Sequence, residues 1–140
     1  MKLGPATNFF FYGTLLDADI RQRVIGRPVG DETLTPATLA GFRRVRVTGK
    51  WFPMLVPGEA GDAVAGVIAT GLSSQEAARL VAYEGADYGL EPVTLRLADG
   101  RTVQGQVFVP RAGTLKPSGE PWDLAAFQRD DKPRVLREPI

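Results

Sequence analysis

Glu84 and the tetrapeptide Tyr12-Gly13-Thr14-Leu15 are the parts of this chain whose residue types and spacing suit chemistry. The segment from Ser73 to Gly85 has the pattern of a short amphipathic helix. Ser73 is a good N-cap, and Glu76 three residues on completes a capping box. Gly85 suits a left-handed stop just past the end. The apolar stripe runs Ala77, Leu80, Val81, and the next position at helical spacing is 84. A carboxylate is thus expected on the core-facing side, in the last turn, where the helix dipole is negative. Burial and dipole both oppose ionisation and raise its pKa, the setting of a general acid/base. The loop Tyr12–Leu15 lies between an apolar run and a helix start. Gly13 lets the backbone turn sharply and a ligand come close. Successive N–H groups there can cradle a carboxylate or phosphate.

Each of these residues also has a plain structural reading. Glu84 can be a frayed helix end or an arginine's ion-pair partner. The loop can be an ordinary strand-to-helix turn. Tyr88 can be a ring anchoring the post-helix loop, and Asp87 a solvated loop residue.

The composition sharpens the choice. The chain has no cysteine and no histidine. Thiol nucleophiles, disulfides, thiolate metal sites, a Ser-His-Asp triad and the usual zinc hydrolase site are therefore excluded. Any enzyme built on this sequence must move protons with a carboxylate, lysine or tyrosine. A net charge of +1 gives no pull toward nucleic acid or an anionic membrane. No apolar run is long enough to span a bilayer as a helix. Phe9-Phe10-Phe11 reads as a strand rather than a signal peptide, so a cytoplasmic protein is the expectation.

The positioning elements follow from local pattern. Asp17 is expected to cap a helix through Ile20, Val24 and Ile25 that stops at Gly26. Ala37 to Val47 has strand character around Gly41. Alternation there puts Arg44 and Arg46 on one face, read as solvated. Pro53 makes Trp51 to Val56 an edge or irregular strand. Ala63 to Ala69 fits a central strand. Asp99-Gly100 signals a type I′ hairpin between two valine-rich strands. Beyond Pro110 the pattern offers only a last helix around Trp122 to Phe127, with those two rings packing it onto the body. Six or so strands and two or three helices in 140 residues predict one α+β domain. Its expected core is a small mixed/antiparallel β-barrel with flanking short helices.

The order of these features resembles the γ-glutamylcyclotransferase-like family, which includes the AIG2-like proteins. That family has a YG[ST]L-type loop after its first strand and a glutamate in an [FY]EGxxY-type stretch. Here these are Tyr12-Gly13-Thr14-Leu15 and Tyr83-Glu84-Gly85-Ala86-Asp87-Tyr88, and the likeness runs roughly from Phe9 to Val109. The resemblance implies a barrel with a cavity at one end and a small γ-glutamyl amide as substrate. By position, Tyr12, Gly13, Thr14 and Leu15 would bind the amino acid head through backbone groups, Glu84 would be the acid/base, and Tyr88 would be a pocket residue. Many relatives carry an arginine two residues after that tyrosine; here the position is Leu90.

The chemistry suits a protein without histidine or cysteine. The α-amine of a γ-glutamyl compound can close onto its own γ-carbonyl, which takes no protein nucleophile, metal or cofactor. It takes one carboxyl group that accepts a proton and then gives it up. Two other readings compete: a ligand-binding module of the same fold, and a two-carboxylate hydrolase in which Asp87 would have to partner Glu84.

Overall fold

The computed structural model describes residues 2–30 and 32–138; Met1, Asp31, Pro139 and Ile140 lie outside the described residues. Five strands close into a barrel in the order β1-β5-β2-β6-β7. They are β1 (Phe9–Phe11), β2 (Leu34–Ala40), β5 (Ala63–Ala69), β6 (Tyr88–Leu97) and β7 (Thr102–Pro110). All neighbours pair antiparallel except β1 and β7, which meet in parallel at Phe9 and Gln106. The barrel is therefore mixed, as expected. β5 pairs on both sides, the role its small β-branched sequence predicts.

Side chains alternate across a strand. Phe10 and Tyr12 join Leu39, Val64, Leu95 and Val107 in a buried cluster that draws on every barrel strand. Phe9 and Phe11 belong to the other large cluster, which seats the helices. Closure leaves no open edge on this sheet.

A second sheet runs β4-β3-β8, made of β3 (Phe42–Val47), β4 (Pro53–Pro57) and β8 (Pro117–Pro121). β4 is an edge strand, as Pro53 requires. The helices are α1 (Ala18–Ile25), α2 (Ser74–Glu84), α3 (Leu124–Asp130) and α4 (Lys132–Val135). Asp17 caps α1 by accepting from the Asp19 and Ile20 N–H groups, and Gly26 ends it. Among the described residues no helix is long and apolar enough to cross a membrane.

Four expectations need correction. First, α2 buries Glu76, Ala77 and Leu80, but Val81 is exposed at 43%. The inward face is rotated toward Glu76, Leu80 and Tyr83, and Val81 lies at its far side. Second, the β6–β7 turn is not type I′. Gly100 has φ +90, yet no non-glycine among the described residues has positive φ, so Asp99 lacks the conformation that turn demands. The Gly100 N–H instead closes on the Leu97 carbonyl and Leu97 pairs with Arg101, a three-residue connection over 98–100. Third, the described residues form eight strands and four α-helices, against an expectation of six or so strands and two or three helices. β8 and α4 lie in the proline-rich tail, where local pattern is mute. Fourth, Arg44 is half-buried rather than solvated.

Candidate active site

The loop after β1 is fixed from several directions. Tyr12 keeps the inward register of Phe10, and its hydroxyl donates to the Phe108 carbonyl at 2.7 Å. Its own carbonyl accepts from Arg44 Nη1 at 2.8 Å. That guanidinium also lies over the Trp122 ring, 5.3 Å from its centroid, a cation–π contact. Gly13 then leaves the barrel beside Pro53. A Cβ at position 13 would sit 2.9 Å from Pro53 Cγ, so the close approach itself calls for glycine. Thr14–Leu16 form one 3-10 turn, in which the Asp17 N–H bonds the Thr14 carbonyl at 3.0 Å. Arg21 Nη1 ties the Leu15 and Leu16 carbonyls back at 3.1 and 3.2 Å. The N–H groups of Thr14 and Leu15, at the start of the turn, have no acceptor among the described residues.

Glu84 arrives from the opposite side as the last residue of α2. The capping box fixes the other end of the helix, with the Ser73 hydroxyl accepting from the Glu76 N–H at 3.1 Å. Gly85 follows with φ +83 and ψ −178, a region open only to glycine, rather than the expected left-handed helical stop. The chain thus turns off the helix without a side chain to cover Glu84.

A cavity of about 360 Å³ lies between these two segments. Tyr12 to Leu15 form one side, Tyr83, Glu84 and Tyr88 another, and Trp51, Phe52 and Pro53 a third. Glu84 is half-buried, and its carboxyl makes no hydrogen bond or ion pair with any described residue. Burial pushes its pKa up to about 7. Near neutral pH it therefore holds a proton about half of the time.

All three tyrosines of the chain line this cavity. Burial, and then the neighbouring Glu84 charge, hold the Tyr12 and Tyr88 hydroxyls well above their ordinary range. Tyr83 is pushed up to about 12 by burial, which outweighs its hydrogen bond to Thr14. All three stay neutral at pH 7 and cannot serve as bases. Their hydroxyls are also committed. Tyr88 donates to the Pro53 carbonyl at 2.8 Å, and Tyr83 and Thr14 Oγ1 share a hydrogen bond of 2.7 Å. Among these lining side chains, Glu84 is the one that titrates near neutrality.

All of the singled-out residues, Tyr12, Gly13, Thr14, Leu15, Glu84 and Tyr88, come together on this one cavity. Asp87 does not join them. It is exposed, outside the lining, and serves through its carbonyl, which accepts from the Arg111 N–H at 2.7 Å.

A family model described as gamma-glutamyl cyclotransferase, AIG2-like, matches residues 9–124. The chain belongs to this family. AIG2-like protein B of Arabidopsis thaliana is 33% identical over 123 residues, which cover 87% of this chain and 69% of that protein. AIG2-like protein A of the same plant is 37% identical over 81 residues, covering 58% of this chain. That match spans about half (47%) of the relative's length. A further Arabidopsis thaliana protein, known by a solution structure, aligns with a TM-score of 0.67 at 28% identity, over 94% of this chain and 86% of its own. A solved gamma-glutamyl cyclotransferase aligns with a TM-score of 0.58 over 81% of this chain and 72% of its own, and at 19% identity it speaks for the fold alone.

Within this AIG2-like frame, sequence reasoning missed several wall residues. Trp51 and Phe52 had a signal, two adjacent aromatics before Pro53, but their face depends on tertiary packing. Trp122 and Phe127 stand behind them. Trp122 Nε1 donates to the Trp51 carbonyl at 2.9 Å, and the Trp51 and Phe127 rings lie 5.7 Å apart. Val135 and Glu138 line the cavity from the tail and had no sequence signal. Leu90 packs against the helix-bearing core cluster. The neighbouring loop is held instead by Arg111, whose Nε donates to the Ala86 carbonyl at 3.1 Å.

Proposed function

We propose that this protein is a cyclotransferase that releases 5-oxoproline from a small γ-glutamyl amide, with Glu84 as the acid/base. The reading rests on a carboxyl group without a partner, raised to about pKa 7, in a cavity beside a loop with unused N–H groups. Membership of the gamma-glutamyl cyclotransferase, AIG2-like family supports the same reaction class.

The Thr14 and Leu15 N–H groups take the α-carboxylate of the γ-glutamyl head. Clamping the head folds the α-amine toward its own γ-carbonyl and removes the rotational freedom that opposes ring closure. Ionised Glu84 accepts a proton from the α-ammonium. The freed nitrogen attacks the γ-carbonyl carbon and forms the C–N bond of the lactam. Glu84 delivers that proton to the departing nitrogen as the original amide bond breaks. It takes the second proton that the attacking nitrogen sheds on becoming the lactam N–H, and passes it to the released amine, which leaves as an ammonium. The proton count balances, and one carboxyl serves in both directions because its pKa lies near the working pH. Only a small substrate fits, since about 360 Å³ is near the lower end for a ligand pocket.

The test is to incubate the purified protein with γ-glutamyl dipeptides, γ-glutamyl amines and glutathione and to assay 5-oxoproline by mass spectrometry. Product that disappears in Glu84→Gln supports the assignment. Normal turnover by Glu84→Gln overturns the role of Glu84. Saturable binding with no product over long incubation replaces the enzyme with a binding module.

A further inference from the structure

We infer that the C-terminal segment 132–138 is a specificity wall, which selects among γ-glutamyl amides by the group that leaves. This rests on the cyclotransferase reading of the same cavity. The family match ends at residue 124, yet Val135 and Glu138 beyond it line the cavity. This wall of the site therefore lies outside the residues matched by the family model.

The segment is strapped down by side chains that do not touch the cavity. Lys132 Nζ bonds Asp17 and Asp19 at 2.8 Å each. Asp17 is buried, and Gln128 Nε2 also donates to it at 2.8 Å. Those carboxylates sit directly after the Tyr12–Leu15 loop, so loop and strap share an anchor. Further along, Arg23 on α1 donates to the Leu136 carbonyl through Nη1 and to the Glu138 carbonyl at 3.1 Å through Nη2. Val135 is buried and joins the same core cluster as Phe127. A short helix, two ion pairs and two backbone tethers thus hold Val135 and Glu138 at the cavity.

The wall has a chemical character. Trp51, Phe52 and Val135 are apolar, and the charged residues on the whole lining are Glu84 and Glu138, with no lysine or arginine. A departing amine that carries its own carboxylate meets like charge at Glu138, with no cation on the lining to offset it. A departing amine without a carboxylate meets no such penalty.

The inference is tested with γ-glutamylethylamide and γ-glutamylalanine, whose leaving parts are close in size and differ by a carboxylate. The reading is the ratio of kcat/KM for the two. Wild type should prefer the ethylamide. Glu138→Lys, which places a cation there, should shrink the preference by roughly fivefold, the scale of one exposed charge contact. Arg23→Ala should also shrink it by freeing the strap, and Arg23→Lys should restore part of it. An unchanged ratio in both Glu138→Lys and Arg23→Ala, or an equal fall for both substrates, overturns the inference. If the wild-type protein makes no 5-oxoproline from either compound, the cyclotransferase reading is what fails. The wall is then judged on the ratio of dissociation constants for the same two compounds, followed by tryptophan fluorescence. A dissociation-constant ratio that ignores both substitutions overturns it as well.

Discussion

The two ends of α2 carry two glutamates with opposite fates. Glu76, in the first turn, is buried and fully partnered. It accepts from Arg27 Nε at 2.6 Å and Nη2 at 3.2 Å, and from the Ser73 N–H at 2.9 Å. Those bonds, led by the one from Arg27, hold its carboxyl below the usual range. Glu84, in the last turn, has no partner among the described residues, and burial pushes it up to about 7. Loss of water alone does not decide the protonation state. What decides it is whether the surroundings replace the lost water with donors. The helix start supplies donors in the form of N–H groups, whereas the helix end presents carbonyls, so a carboxylate is at home at one end and frustrated at the other.

The largest effect should come from removing the frustrated group. Glu84→Gln keeps the shape of the side chain and loses the exchangeable proton, so turnover should drop by about 10³-fold. In the wild type, kcat/KM should rise with pH through about 7, because the ionised form takes the first proton. A profile that falls through that range would assign the first step to a protonated group instead.

The same substitution should act on stability, with a sign that depends on pH. The raised pKa means that the folded state keeps a proton which the unfolded state loses from about pH 4.5 upward. Wild-type stability therefore declines between about 4.5 and 7 and levels off above. Glu84→Gln escapes this cost. It should be more stable than wild type at pH 8, by at most about 3 kcal/mol and by less in so far as cavity water solvates the charge. Near pH 4 the two should melt alike. Thermal melts at the two pH values check this, and a variant less stable than wild type at pH 8 would mean that the carboxylate has a partner in solution.

Glu76→Gln should behave in the opposite way. It loses the charge-assisted pair with Arg27, which is itself nearly half exposed, so the cost at pH 7 should be about 1 kcal/mol. Because the folded pKa of Glu76 is depressed, its contribution is present above about 4.5 and is lost as pH falls through the folded value. The gap to wild type should therefore close in acid, while turnover at pH 7 stays within about twofold. Denaturant melts at pH 7 and pH 3 measure the gap, and a loss of turnover comparable to that of Glu84→Gln would erase the contrast between the two ends.

This contrast was half legible in the sequence. The capping box at Ser73 and Glu76 and the inward placement of Glu84 both follow from helical spacing. So does the cap at Asp17, and so does the edge position of the Pro53 strand. Those are local rules, enforced by backbone geometry within a few residues. The partner of Glu76 is Arg27, 49 positions away, and no local rule names it. Arg44 looked like one member of a solvated face until the packing of Trp122 and the Tyr12 carbonyl gave it two contacts. The tail was the least legible part. β8 has the sequence Pro-Ser-Gly-Glu-Pro, which has no strand propensity and exists because β3 offers it an edge. Val135 and Glu138 reach the cavity only through tethers that lie more than 100 residues away in the chain.

The smallest expected effect concerns the residue between the two halves of the site. Tyr83, next to Glu84, shares a 2.7 Å hydrogen bond with Thr14 Oγ1, and this joins the end of α2 to the loop. Tyr83→Phe removes that bond and leaves the ring in place, at a cost of about 1 kcal/mol in loop positioning. If the bond serves to hold the loop for the substrate head, the loss should appear as a rise in KM of roughly fivefold with kcat little changed. Thr14→Val should produce the same rise. The double variant should be no worse than either single one, since both remove one interaction. Rises that multiply in the double variant would show that Tyr83 and Thr14 act on the substrate separately. The link between the helix end and the loop would then lie elsewhere, with the Tyr88 hydrogen bond to Pro53, the residue that abuts Gly13, as the next group to remove.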